Sequence, residues 1–315
     1  MRIMVIAAGD FALPTLGALH QSTHKIPLVI TQPDRRSGRG RRLTPTPVNR
    51  LAGELGLCVV TASNVNETDV VERVAACRAD VGVVIDFGQK IGPAFRNAIR
   101  GGCVNLHASL LPAYRGAAPF QWAIMRGERS SGVTVFKLVD RMDAGPILTA
   151  RTTTIGQTET ADELHDRLAD LGPAAVIDAL EQFEGGCVPQ GVPQDDRQAT
   201  TAPKLKKQDG RVDFAAAAAT VVRRICGLWS WPGAACRFQS ADGSRNEVVT
   251  LARAKIVERA APHGEPGVLT ENLHVAAADA VIEILEIKPQ SGKLMPWGAY
   301  VNGRHVKPAD RFVPI

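Results

Sequence analysis

The feature that most constrains the fold of this chain is the alternation of short apolar segments with helical patterns over its first half. The apolar segments are rich in β-branched residues, and some are apolar on both faces, as buried parallel strands are. They predict strands at 3–8, 28–31, 81–85, 102–106 and 133–139. The helical patterns lie near 11–20, 47–56, 67–77, 93–99 and 118–126. Such alternation predicts right-handed βαβ crossovers and an α/β fold with a Rossmann-like open, mostly parallel sheet.

A capping box, Thr160-Ala161-Asp162-Glu163, marks the start of a further helix. Leucines follow it at helical spacing, the apolar stripe resumes after Gly172-Pro173, and Gly185-Gly186 ends it. We therefore expect the first domain to be completed by a helical segment and to end near residue 188.

The pattern changes after residue 188. Residues 189–206 are polar, proline-bearing and aperiodic, which predicts a linker. One helix follows near 215–227, and then come short alternating segments near 234–238, 247–257, 266–269, 273–276 and 280–287. Short strands separated by turn residues are typical of a small β-barrel, here OB-like. The predicted domains are thus 1–188 and 207–315, joined by the linker.

Composition excludes several classes of protein. The chain has 315 residues, of which 45 % are hydrophobic and 22 % charged, as in a globular protein of two domains rather than a disordered or coiled-coil chain. No apolar run approaches the ~20 residues that span a bilayer, and the apolar start is too short for a signal peptide. The six cysteines form no Cys-x-x-Cys, which favours reduced thiols in a cytoplasmic protein. Neither half shows a large apolar patch, so we expect a monomer that does not bind membranes.

Positive charge is concentrated in one short segment. Residues 1–188 carry 20 Lys+Arg against 19 Asp+Glu, and five of the arginines lie between residues 35 and 42. A dense basic loop on an otherwise acidic domain is typical of a protein that binds a polyanion such as a nucleic acid. A solvated surface loop with no partner explains the same composition equally well.

Two polar residues at one strand end are the candidate catalytic groups. Asn105 and His107 are two residues apart, so their side chains leave the same face of the strand, at the sheet edge where α/β folds bind ligands. A carboxamide beside an imidazole can stabilise an oxyanion and move a proton, as acyl transfer requires. Asp143, after the next strand, could reach His107 and fix its tautomer. The alternative is a hydrogen-bonded core histidine and an aspartate that merely forms a turn.

No other motif points to a different chemistry. The three-glycine dinucleotide fingerprint and the Gly-Lys-Ser/Thr phosphate loop are both absent, and no spacing of metal ligands appears. These absences lower the expectation of nicotinamide redox chemistry and of nucleotide hydrolysis.

A family resemblance follows from the segment Asn105-x-His107-x-Ser109-Leu110-Leu111-Pro112-x-x-Arg115-Gly116 with Asp143. It resembles the signature of the 10-formyltetrahydrofolate-dependent formyltransferases. Thr31–Arg35 followed by Gly38–Leu43 is similar to the basic loop of those members that formylate methionyl-tRNA. Lys204–Phe214 and Trp231-Pro232 resemble the start of their C-terminal barrel.

The resemblance implies transfer of the formyl group of 10-formyltetrahydrofolate to the α-amine of initiator methionyl-tRNA for translation initiation, without a metal. Asn105, His107 and Asp143 would be catalytic. The implied folate-contacting residues are Ser109, Leu110, Leu111, Pro112, Asp86, Phe87, Gly88, Val139 and Asp140. The implied tRNA-contacting residues are Arg39, Arg41, Arg42, Lys206 and Lys207.

The sequence departs from the family pattern at two places. Ala7–Phe11 stands where the family usually has Gly-Thr-Pro before Asp-Phe, and Asp86-Phe87 stands where a small residue and a tyrosine are usual. The Asp86 carboxylate could form a hydrogen bond with the pterin ring or cap a loop. The alternative functions are formyl transfer to an amino-sugar nucleotide, formyltetrahydrofolate hydrolysis, or tRNA binding without catalysis.

Overall fold

The computed structural model describes residues 1–37, 42–258 and 264–315. Within these residues the helices are α1 (Leu13–Gln21), α2 (Pro47–Glu54), α3 (Thr68–Ala76), α4 (Pro93–Asn97), α5 (Pro119–Arg126), α6 (Ala161–Glu181), α7 (Ala218–Leu228) and α8 (Trp297–Arg304). The strands up to the predicted linker are β1 (Ile3–Ala7), β2 (Val29–Thr31), β3 (Arg35–Ser37), β4 (Arg42–Thr44), β5 (Val59–Thr61), β6 (Val81–Ile85), β7 (Cys103–His107), β8 (Arg115–Gly116), β9 (Ser130–Lys137) and β10 (Ile147–Thr154). The later strands are β11 (Thr201–Ala202), β12 (Ala234–Gln239), β13 (Asn246–Glu258), β14 (Val275–Ala276), β15 (Val281–Pro289), β16 (Met295–Pro296) and β17 (Arg311–Pro314).

Contacts divide the chain into two compact units, each made of more than one chain segment. The first unit comprises Met1–Gly116, Gly132–Thr153 and His165–Thr201. The second comprises Ala117–Ser131, Thr154–Leu164 and Ala202–Ile315. No helix in the described part of the chain is long and apolar enough to cross a bilayer.

The first unit is built on an open sheet in the order β10-β9-β7-β6-β1-β2-β5. The pairs β1–β2, β1–β6, β2–β5 and β6–β7 are parallel, whereas β7 and β9 are antiparallel. Met4 and Ile6 of β1 are fully buried in a core with Val70 and Val74 of α3 and Phe95 of α4. The predicted α/β fold with a mostly parallel sheet is confirmed, and β6 and β7 end side by side at its carboxyl edge.

The helix predicted from the capping box is α6. The backbone N–H of Thr160 donates to Glu163 Oε2 at 2.9 Å, and the N–H of Glu163 donates to Thr160 Oγ1 at 3.4 Å. The helix continues through Pro173 rather than ending there, and the predicted glycine stop lies in a short turn at Glu184–Gly186.

The second unit contains an antiparallel sheet in the order β14-β15-β13-β12-β17. Isolated bridges from Val268 to Arg311 and from Leu269 to Val275 connect the two end strands, so the sheet nearly closes into a small barrel. Phe238, Trp297, Tyr300 and Phe312 pack at one place in its interior, with ring centroids 5.5–5.8 Å apart. The predicted C-terminal barrel is confirmed.

Candidate active site

Asn105 and His107 lie near the carboxyl end of β7, between β6 and β9. Asn105 pairs with Val84 on one side and Phe136 on the other. Its side chain is half-buried, and its carboxamide makes no hydrogen bond to any residue that the structure describes. An amide in this position retains its donors for a ligand.

The imidazole of His107 is buried and fixed in orientation. Its Nε2 lies 2.9 Å from the carbonyl oxygen of Tyr114, and its ring packs edge-on against Phe136 at 6.4 Å. A carbonyl oxygen accepts hydrogen bonds only, so Nε2 carries a proton. In the neutral ring Nδ1 is therefore the acceptor, and in the charged ring it becomes a second donor.

The turn after β7 is held by the hydroxyl groups of two residues. Thr134 Oγ1 donates to the carbonyl of Ser109 at 2.7 Å and accepts from the N–H of Leu111 at 3.1 Å. Ser109 is buried, and its Oγ donates to the carbonyl of Ala113 at 2.7 Å. The Ser109 side chain therefore stabilises the turn, and Leu110, half-buried, precedes a cis peptide between Leu111 and Pro112.

Asp143 lies in a tight turn whose backbone is specified by a glycine. Its Oδ2 accepts a hydrogen bond from the N–H of Gly116 at 2.8 Å, and its own φ is +49°. A Cβ at Gly145 would lie 1.7 Å from the carbonyl oxygen of Lys137, so only glycine fits there. The expected hydrogen bond between Asp143 and His107 is absent among the described residues. The Asp143 carboxylate accepts a hydrogen bond from Gly116 instead, and the carbonyl of Tyr114 orients the His107 imidazole.

The segment before Asp143 is anchored through Asp140. Its Oδ1 forms an ion pair with Arg96 Nη2 at 2.5 Å, and this contact holds the pKa of Asp140 below its usual range. Val139 beside it is exposed. The Asp140 carboxylate is therefore already paired with Arg96, whereas the apolar side chain of Val139 is exposed.

Asp86 extends from the end of β6 toward the turn after β1. Its carboxyl lies over Gly9, where a Cβ would come within 1.7 Å of Asp86 Oδ2. Asp86 is exposed as a residue, but partial desolvation of its carboxyl, together with the like charge of Asp10, raises the pKa of Asp86. The carboxyl makes no hydrogen bond among the described residues, which leaves the loop-capping alternative without support. Phe87 next to it is buried, and Gly88 has φ +73°.

Sequence comparison decides the family. Residues 1–180 match the formyl transferase family, and residues 204–305 match the formyl transferase C-terminal domain. This chain belongs to the formyl transferase family. The predicted resemblance is confirmed.

Relatives of this formyl transferase match over nearly its whole length. Methionyl-tRNA formyltransferase of Acidiphilium cryptum is 40 % identical over 97 % of this chain and 98 % of its own length. That of Heliobacterium modesticaldum is 34 % identical over 99 % of this chain and 100 % of its own length. The crystal structure of WlaRD, a sugar 3N-formyl transferase, has a TM-score of 0.64 at 13 % identity, covering 93 % of this chain and 99 % of that one. This last likeness shows the fold alone.

The basic residues predicted to contact tRNA fall in both parts of this formyl transferase. Arg39 and Arg41 lie outside the described residues, and Arg42 begins β4. The strands β3 and β4 pair in antiparallel register, so a short ribbon forms the base of the basic loop. Lys206 and Lys207 are exposed in the second unit, at a turn closed by the N–H of Lys206 donating to Asp209 Oδ2 at 2.6 Å.

Sequence reasoning missed Thr134, Tyr114 and Gln194 at the site. Tyr114 contributes a backbone carbonyl, which residue types do not reveal, and Thr134 lies on a separate strand. Gln194 lies in a segment in which the sequence shows no motif.

No group of three or more His, Cys, Asp or Glu residues in the described segments could hold a metal ion.

Proposed function

We propose that this chain transfers the formyl group of 10-formyltetrahydrofolate to the α-amine of initiator methionyl-tRNA. Family membership and the names of relatives that match over nearly the whole chain support this acceptor and this formyl donor. The observation that carries the proposal is the pairing of an unengaged carboxamide, Asn105, with an imidazole, His107, whose ring orientation is fixed by a backbone carbonyl.

The reaction needs donors for the oxygen of the formyl group. The amine nitrogen forms a bond to the formyl carbon, negative charge develops on the formyl oxygen, and the bond from that carbon to the folate N10 then breaks. Asn105 donates to the developing oxyanion, and His107 supplies a second donor when protonated at Nδ1. A proton leaves the amine and, in the balanced reaction, N10 gains one.

Asp143 is the proposed acceptor for the amine proton. Its Oδ2 is held by the N–H of Gly116 at 2.8 Å, so the carboxylate is fixed relative to the signature segment. A fixed carboxylate can accept the proton directly or through one water molecule.

We place the proposed folate site beside β7, between the loops that follow β6 and β7 and the segment that follows β9, which ends next to the start of β7 because the two strands are antiparallel. We assign the apolar contacts to Leu110, Leu111, Pro112 and Val139, and polar contacts to backbone groups of Ser109 and of residues 86–88. Asp86 is the candidate for bonding the pterin ring, because its carboxyl has no hydrogen bond among the described residues. Asp140 positions the loop through Arg96.

Label transfer from 10-formyltetrahydrofolate to methionyl-tRNA tests the proposal. We expect Asn105→Ala to lower kcat by about 10²–10³-fold, the usual cost of one oxyanion donor. Asn302→Ala, an exposed asparagine on α8, is the matched control and should keep wild-type turnover. Asn105→Ala with wild-type kcat would contradict the assignment.

The acceptor in the same assay separates the alternatives. Label found on an amino-sugar nucleotide would favour that substrate, and label released in buffer would favour a hydrolase. Binding of tRNA without any transfer would favour a non-catalytic relative. The cytoplasmic location and the monomeric state remain predictions.

A further inference from the structure

The residues 192–200, within the predicted linker, form a strap that is hydrogen-bonded to the catalytic loops. At its start, Val192 and Ile147 exchange two backbone hydrogen bonds of 2.8 Å. At its end, the carbonyl of Thr200 accepts from the N–H of Arg115 at 2.9 Å. Both ends of the strap are therefore attached to the unit that contains Asn105 and His107.

Gln194 in the middle of the strap contacts the turn that carries Asp143. Its Nε2 donates to the carbonyl of Asp143 at 2.9 Å and to the carbonyl of Gly145 at 2.8 Å. Its Oε1 accepts from Arg115 Nε at 3.1 Å and from Arg115 Nη2 at 2.7 Å. Both amide protons and the amide oxygen are used, and only a side chain with two donors and an acceptor can make this set.

Asp196 makes a second connection between the same elements. Its carboxylate pairs with Arg115 Nη1 at 2.9 Å and with Arg141 Nη1 at 2.5 Å. These two guanidinium groups hold the pKa of Asp196 below its usual range. Arg141 lies two residues before Asp143, so the strap holds this loop on both sides of the aspartate.

Thr200 connects the strap to the partner of His107. Its Oγ1 accepts from the N–H of Tyr114 at 2.9 Å. The carbonyl of that same Tyr114 accepts from His107 Nε2 at 2.9 Å. The strap thus contacts the segment that orients the imidazole as well as the turn that carries the carboxylate.

The contacts stabilise a turn whose backbone conformation costs energy. Asp143 has φ +49°, in the left-handed region that is uncommon for non-glycine residues, although aspartate tolerates it better than most. We propose that Gln194 is a positioning residue that holds Asp143 for formyl transfer. This inference rests on the proposed function for the role of Asp143, and on the hydrogen bonds above for the role of Gln194.

Substitution of Gln194 tests the inference. Gln194→Glu keeps the side-chain shape and the acceptor for Arg115 but places a carboxylate against two carbonyl oxygens. A displacement of about 1 Å at a catalytic group can lower turnover about 100-fold, so we expect kcat to fall about 10- to 100-fold. The KM values for folate and tRNA should change less than about 2-fold, because Gln194 is not assigned a contact with either substrate. A residue that only stabilises the fold would not lower kcat while leaving both KM values nearly unchanged.

Gln198→Glu is the matched control. Gln198 lies in the same strap, and its side chain donates to Asp195 Oδ2 at 3.3 Å, with no hydrogen bond to either catalytic loop among the described residues. This variant makes the same chemical change nearby and should keep wild-type kcat. Equal loss of kcat in the two variants would overturn the assignment to Gln194.

Hydrogen exchange supplies a readout that does not depend on activity. The amide of Gly116 is protected by its bond to Asp143 Oδ2. We expect Gln194→Ala to raise the exchange rate of this amide about 10-fold or more and Gln198→Ala to leave it unchanged.

Unchanged exchange in Gln194→Ala overturns the positioning role, whether or not the chain formylates tRNA. If the wild-type chain transfers no label to methionyl-tRNA while Gln194→Ala shows the faster exchange, the proposed function fails and the positioning of Asp143 stands.

Discussion

At the scale of single residues, the two departures from the family pattern are one structural feature. Gly9 follows β1 and Asp86 follows β6, and the N–H of Gly9 donates to the carbonyl of Asp86 at 3.3 Å. The Asp86 carboxyl fills the space beside Gly9 that any larger residue would need. We therefore expect the residue types at positions 9 and 86 to depend on each other.

We expect Gly9→Ala to lower the free energy of unfolding by about 0.5–1 kcal/mol, less than overpacking of a rigid core, because the obstructing atoms belong to the exposed Asp86 side chain, which can rotate away. The new Cβ would lie 1.7 Å from Asp86 Oδ2, so the carboxyl must move. In an Asp86→Ala background the obstruction is gone, and the same substitution should cost much less. Chemical denaturation of the four proteins measures this coupling.

Gly17→Ala is the control for the glycine substitution. Gly17 lies inside α1, and no atom comes within 4 Å of the position of its Cβ. Alanine there should stabilise the protein by about 0.5–1 kcal/mol through helix propensity. Equal destabilisation by Gly9→Ala with and without Asp86 would refute the dependence.

The candidate catalytic residues were predictable to different degrees. Asn105 and His107 were accessible from sequence because strand periodicity places them on one face at a sheet edge. The hydrogen-bond partner of His107 was not predictable because it is a backbone carbonyl. The partner of Asp143 was not predictable either, because it is the backbone N–H of Gly116. Gln194 was hidden because it lies 51 residues beyond Asp143 in a segment without periodicity.

At the scale of elements, a histidine joins α6 to the turn that follows β1. His165 Nε2 lies 3.4 Å from Asp10 Oδ1, and its Nδ1 lies 2.9 Å from Asp166 Oδ1. Burial lowers the pKa of His165, but the hydrogen bonds and charges of Asp10 and Asp166 outweigh it and raise the pKa to about 9. The imidazolium is therefore the form that the folded protein stabilises.

We expect the thermal stability of the protein to fall as pH rises from about 6.5 to above 9. Between the unfolded pKa near 6.5 and the folded pKa of about 9, the folded state binds more protons, so raising the pH favours unfolding. The stabilisation by His165 is complete below this window and lost above it. Melting temperatures of wild type and His165→Gln across pH 6–10 measure the effect.

The His165→Gln variant should lose most of that pH dependence, and Asp10→Asn should lose part of it because one of the two carboxylates remains. A His165→Gln protein whose melting temperature follows wild type at every pH would show that the ion pair contributes nothing.

The sequence predicted the buried elements better than the exposed ones. Strands β1, β6 and β7 match their predicted ranges to within one residue because their apolar runs are continuous. Strand β10 was missed because its threonines alternate at an edge without a strong apolar pattern. Helix α8 was missed because two glycines dilute its pattern, and packing of Trp297 and Tyr300 in the barrel interior stabilises it instead.

At the scale of the whole molecule, the basic loop concentrates five of the 20 Lys+Arg of residues 1–188 in eight positions. We expect Arg39→Gln, Arg41→Gln and Arg42→Gln each to raise the KM for tRNA. Each phosphate contact that is lost should reduce the slope of log affinity against log salt by about 1. Steady-state kinetics and tRNA binding at several salt concentrations check both quantities.

Arg73→Gln is the control for the loss of charge, because Arg73 is an exposed arginine on α3 outside the loop. It should change the KM and the salt slope little, and transfer to a small amine should be unaffected in all four variants. A salt slope equal to that of wild type in the three loop variants would contradict phosphate binding by the loop.

Closure of the barrel also bears on self-association in solution. Unpaired edge strands let other chains add to a sheet, which is a common start of aggregation, and a sheet whose end strands are bridged exposes less of such an edge. The backbone N–H of Gly267 donates to the carbonyl of Ala276, and its carbonyl accepts from the N–H of Phe312. These hydrogen bonds lie next to the bridges at Val268 and Leu269 that connect the end strands. Substitutions that displace residues 267–269 would open two new edges at once. Such variants should precipitate before they lose their secondary structure.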